Sequence, residues 1–179
     1  MLQIKIPASE YYDEVNNEFV YVKEQTLQLE HSLVSISKWE SKWNKPFLAQ
    51  KDMTAEELLD YIRCMTITQN VNPLVYMNLP SEAIGRINDY INAKMTATWF
   101  NHREKRASRE IVTSEIIYYW MVALGIPFEC QKWHLNRLLT LIEVCSIKNQ
   151  PSKKMSKREV MARNARLNEL RKKKLRTRG

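Results

Sequence analysis

Glycine is scarce in this chain, with three residues in 179. Phosphate cradles need glycine where the backbone must approach an anion, and neither GxxxxGK[ST] nor GxGxxG occurs. A nucleophile elbow is missing too. Cysteine is limited to Cys64, Cys130 and Cys145, an odd number with no CxxC spacing. That argues against a disulfide framework and for reduced, buried thiols in a reducing compartment. Long apolar runs are also missing. The longest, 116–128, covers 13 residues and is broken by Gly125 and Pro127, too short to span a bilayer. The N-terminus turns polar after six residues, so no secretory signal and a soluble intracellular protein are expected. The histidines, His31, His102 and His134, have no second ligand set around them. Cys130 and His134 stand at i, i+4, but two ligands do not make a zinc site. No cofactor, metal or small-molecule substrate is expected, and the chain reads as non-enzymatic.

What the chain does have is a charge imbalance between its two parts. Residues 151–179 hold twelve of the 28 Lys and Arg but only two of the 20 acids, Glu159 and Glu169, for a net +10. The remaining 16 bases and 18 acids give 1–150 a net −2. A nearly neutral body of a size that folds by itself therefore carries a cationic appendage.

Hydrophobic periodicity predicts a mainly α (α+β) fold with three parts: an N-terminal β element at 1–30, a helical core domain at 31–150, and a basic extension at 151–179. Short strands are expected at 2–6, 19–22 and 27–30, where apolar and polar residues alternate. From Ser32 the period becomes helical, with Leu33, Ile36, Trp39 and Trp43 on one face up to Pro46. Thr54 and Glu57 form a capping box before Leu58, Tyr61, Ile62 and Met65. Ser81 starts a helix with Ile84, Ile87 and Ile91, and Gly85 inside it suggests close approach by a neighbour. Residues 94–107 read as an irregular, exposed loop. Ser108 is expected to cap a largely buried helix over 109–124, with Gly125 at its C′ position. A second apolar helix over 130–147 should pack against it as an antiparallel hairpin and form the core. Ser156 and Glu159 open a last helix to about Lys174. With few apolar residues, that helix is expected to project and to order fully only on a partner.

Two groups are candidates for contact. Trp39 and Trp43, four apart with charged neighbours, fit either the core or an aromatic anchor for a partner. The cations Lys153, Lys154, Lys157, Arg158, Arg163, Arg166, Arg171, Lys172, Lys173 and Lys174 fit three readings: a solvated extension, a polyanion-binding arm, or a helix for an acidic or amphipathic protein groove. No aromatic residue occurs after Pro151, so nucleic-acid contact would be sequence-blind and without stacking. Met53, Met77, Met155 and Met161 lie outside the expected core and suit an adaptable binding surface.

Several stretches resemble tailed-bacteriophage proteins: LEHSLVSISKWESKW at 29–43, MTATWF at 95–100, REIVTSEIIYYWMVALGIPFECQKWHLNRLLTLIEVC at 109–145 and KNQPSKKMSKRE at 148–159. The resemblance covers nearly the whole chain. It points to a family among the structural and assembly proteins of long-tailed (siphophage-type) phages, whose members look like tail assembly chaperones. It implies a non-enzymatic protein in the host cell cytoplasm that binds the tape-measure protein and keeps it soluble while tail-tube subunits polymerise. The alternatives are a virion component at the head–tail junction or tail, and a sequence-nonspecific nucleic-acid-binding phage protein.

Overall fold

The structure is a computed structural model, and it describes residues 1–13, 17–50, 52–100, 110–150 and 156–175. It is mainly α with a small N-terminal β element. By contact density it divides into two compact units, Met1–Ser146 and Ile147–Gly179.

Four strands, not three, open the first unit: β1 (Leu2–Ile6), β2 (Ser9–Asp13), β3 (Glu18–Val22) and β4 (Gln25–Leu29). β1 pairs with β4 and β2 with β3, both antiparallel. The two ladders share one register, since Leu2 faces Leu29, Ile6 faces Gln25, Ser9 faces Val22 and Asp13 faces Glu18. They form one long ribbon interrupted where Pro7 cannot donate to a ladder. The inner half buries Ile4, Ile6, Leu27 and Leu29. β4 and the residues after it are then tied to the helical part: Ile67 N–H donates to the Gln28 carbonyl at 2.8 Å, and Leu135 N–H to the His31 carbonyl at 2.7 Å.

The helices are α1 (Leu33–Trp43), α2 (Ala55–Met65), α3 (Ser81–Asn92), α4 (Ser114–Ala123), α5 (Leu135–Asn149) and α6 (Lys157–Leu175). The expected capping box of Thr54 with Glu57 forms at the start of α2, and a second one, Ser32 with Ser35, which sequence spacing did not signal, opens α1. Asn44 ends α1 in the left-handed region at φ 52°, so the helix stops before Pro46. α1 is the organising element and packs on α2, α4 and the 3-10 turns Phe47–Ala49 and Phe128–Lys132. β1 lies against α3.

Several expectations are corrected here. α4 begins at Ser114, whereas the proposed cap Ser108 lies outside the described residues. A carboxylate from α1 replaces a local cap: Glu40 Oε2 accepts the Ser114 N–H at 2.7 Å and Oε1 accepts the Phe47 N–H at 2.8 Å. α4 buries only the stripe Ser114, Ile117 and Met121, while Tyr119 and Val122 are exposed. It is therefore not a central buried helix, and the packing centres on α1 rather than on an α4–α5 hairpin. The second apolar segment splits into the 3-10 turn at 128–132 and α5 from Leu135. A Cβ placed on Gly85 would meet nothing within 4 Å, so no neighbour approaches it closely. Gly125 does hold the expected C′ position, at φ +65°. Its N–H bonds the Val122 carbonyl and the Ile126 N–H the Met121 carbonyl, which is a Schellman closure sealed by buried Met121 and Ile126.

Candidate interaction surfaces

α6 begins at a capping box that satisfies its first amides. Glu159 Oε2 accepts from Ser156 N–H at 2.8 Å, and Ser156 Oγ accepts from Glu159 N–H at 3.2 Å. Hydrogen bonds from Ser156 hold the Glu159 carboxyl below the usual carboxylate range. Every residue from Ser156 to Leu175 is exposed. Lys157, Arg158, Arg163, Arg166 and Arg171 to Lys174 are spaced so that they occur all round the helix rather than on one side. Val160, Leu167 and Leu170 fall close together at i, i+7 and i+10, a narrow apolar line through the charge. Lys153, Lys154 and Met155 lie outside the described residues. Met77 and Met161 are exposed, while Met53 packs against the core.

The two candidate tryptophans do not act as an exposed pair. Trp39 is fully buried, donating its indole N–H to the Glu57 carbonyl at 3.0 Å. Trp43 is half-buried and donates to Asp60 Oδ2 at 2.9 Å, with Lys42 and Lys45 each 5.9 Å from its ring. The rings stack at 6.2 Å, and Phe47 and Tyr61 extend the cluster. Trp39 is thus a core residue, and the anchor reading fails for it. The charged neighbours misled because they serve inward partners. Lys42 pairs with buried Asp60, and Lys45 bonds buried Glu57 at 2.6 Å. That bond from Lys45, with the Thr54 N–H, holds the Glu57 carboxyl low. The exposed tryptophan is Trp99, which lines a cavity of about 320 Å³ with Lys94, Asn136 and Thr140.

The fold also joins two histidines 103 positions apart. His31 and His134 face each other at 5.0 Å between ring centroids, both buried. His134 Nε2 donates to the Tyr90 carbonyl at 2.9 Å and Nδ1 accepts from Asn136 N–H at 3.3 Å, which fixes the Nε2–H tautomer. His31 Nδ1 bonds the Tyr61 hydroxyl. Burial first, and His134 second, lower the His31 pKa from 6.5 to about 3. Burial pushes the Tyr61 phenol up. Among the described residues no group of three or more His, Cys, Asp or Glu could hold a metal ion. His102 and the charged run 101–106 lie outside the described residues.

One surface escaped the sequence reading. In the outer ribbon, Tyr11, Val20 and Val22 take the covered side, with Val22 buried. The opposite side carries Glu10, Tyr12, Phe19 and Tyr21, all exposed; Phe19 is the most open at 73%. Tyr12 and Phe19 lie 5.1 Å apart. The signal available was the YY at 11–12 and the alternation of 19–22, but Pro7 and Ala8-Ser9 read as the end of a strand.

Cys64, Cys130 and Cys145 are free, with Cys130 buried and the other two half-buried. No helix of the described residues is long and apolar enough to cross a membrane. No protein-family model matches the chain, and neither a curated protein nor a solved structure does.

Proposed function

We propose that the chain is a non-enzymatic assembly factor of a long-tailed phage, which binds virion proteins, the tape-measure protein first, in the host cytoplasm during tail morphogenesis. One observation carries the binding part of this reading: a capped 19-residue helix, α6, with no buried residue. Helices of this length are marginal alone in water, and most gain their stability by burying a face. The uncovered line Val160, Leu167 and Leu170, flanked by cations, offers such a face to an amphipathic or acidic helix. A tape-measure chain, long and helical, presents many such faces. The resemblance over 29–43, 95–100, 109–145 and 148–159 supplies the biological setting.

The test is an affinity pull-down from infected cells with the full-length protein and with a 1–150 truncation. Full-length protein should recover the tape-measure protein, and the truncation should recover much less. Failure of both to recover any tail protein would reject the reading. Mass spectrometry of purified virions should find the chain absent or rare; a fixed stoichiometric amount would make it a virion component. The net +10 of 151–179 favours DNA binding as a second reading. Under that reading DNA retention falls steeply with salt and disappears in the truncation.

A further inference from the structure

We propose that the outer β2–β3 hairpin is a docking surface for the cationic C-terminal segment of a second copy of this chain. The proposal goes beyond the tail-assembly reading and does not depend on it.

Ribbon geometry supplies the surface. With one register throughout, the alternation that places Ile4, Ile6 and Leu27 in the core continues beyond Pro7 into Tyr12, Phe19 and Tyr21. The row that is core in the inner half is thus an uncovered aromatic row in the outer half. A two-stranded hairpin is marginal by itself, and this one ends in exposed rings. Its covered side holds two buried hydroxyls without a hydrogen-bond partner, Ser9 Oγ and Tyr11 Oη. The open aromatic face on the other side is what a partner can cover.

Charge complementarity identifies the occupant. Between Ser9 and Val22 the sequence has four acids, Glu10, Asp13, Glu14 and Glu18, and no Lys or Arg. Glu10 stands on the aromatic side, opposite Tyr21. Arg and Lys stack favourably over Tyr and Phe faces, and an adjacent carboxylate adds to the attraction. The segment with the largest net positive charge in the chain is 151–179, at +10. Both surfaces are open, since all of Ser156 to Leu175 and all three rings are exposed. Two copies would let each cover the other's. The contact would place Arg171 and Lys174 against rings, with Leu167 and Leu170 on the same helix face at i, i+3, i+4 and i+7 spacing. It would be reversible and salt-sensitive, because its charges sit at the surface.

Sedimentation velocity on nuclease-treated full-length protein tests this across concentration and salt. The wild type should self-associate at low salt and dissociate at high salt. Phe19→Ser with Tyr21→Ser, which leaves the net charge unchanged, should weaken association by about tenfold or more. The triple reversal R171E/K172E/K173E should abolish it, as should the hairpin reversal E10K/E18K. Mixing the two reversed proteins should restore association between them, because each then offers what the other lacks. Near-ultraviolet circular dichroism checks that the hairpin variants keep the wild-type core. A wild type that stays monomeric at low salt would overturn the proposal. So would association that ignores Phe19→Ser with Tyr21→Ser, or reversed proteins that do not combine when mixed.

Discussion

Glu40 accepts backbone N–H groups from segments seven and 74 residues away, using one oxygen for each. A glutamine there has one accepting oxygen, and its amide would confront the other N–H donor-to-donor. Glu40→Gln should therefore destabilise the protein by about 1–3 kcal/mol, seen as a lower urea midpoint at unchanged slope. An unchanged midpoint would show that the two bonds contribute nothing. His31 gives a pH prediction. Its folded pKa of about 3 lies below the ordinary 6.5, so the native state favours the neutral ring. The resulting stability is complete above pH 6.5 and is lost as pH falls toward 3, at a limiting slope of about 1.4 kcal/mol per pH unit. The lowered carboxyls of Glu57, Glu115 and Glu159 start from an ordinary value of 4.5, so the interval between 6.5 and 4.5 belongs to histidine. Melting temperature should fall through that interval in the wild type, and His31→Gln should flatten the fall. An identical slope in both proteins would contradict the assignment.

The local signals in single elements were the most legible. The capping boxes at Thr54 and Ser156 and the Schellman glycine at Gly125 involve residues within a few positions of each other, and each stands where its spacing implied. What sequence did not reveal was set by distant partners. Glu40 starts α4, Asp60 draws Lys42 and Trp43 inward, and the ribbon resumes beyond Pro7 because β3 continues to pair. Trp39 among charges fits either core or anchor on sequence alone, since local polarity does not record what packs from the other side. Two glycine variants turn this into opposite predictions. Gly85→Ala, in the interior of α3 with open space around it, should stabilise by about 0.5–1 kcal/mol. Gly125→Ala also meets no atoms, yet its φ of +65° disfavours a side chain, so it should destabilise by about 1 kcal/mol. Thermal melts of the two variants should move in opposite directions. Movement in the same direction would refute the backbone argument.

Across the whole molecule, the charge split between 1–150 and 151–179 follows directly from composition, and α6 was legible from its capping box and helix-forming residues. Its buried area was legible as well, because too few apolar residues occur there to make a packed face. The acidic, aromatic hairpin that complements it was not, since its meaning depends on two strands lying side by side. The central claim is that α6, every described residue of which is exposed, is stabilised by binding rather than by a buried face of its own. Hydrogen–deuterium exchange on dilute, isolated full-length protein at high salt tests this most directly. Amides of Lys157–Leu175 should exchange almost as fast as an unstructured peptide, while those of Leu33–Trp43 and Ala55–Met65 stay protected. Protection of 157–175 equal to that of α1 under the same conditions would contradict the account.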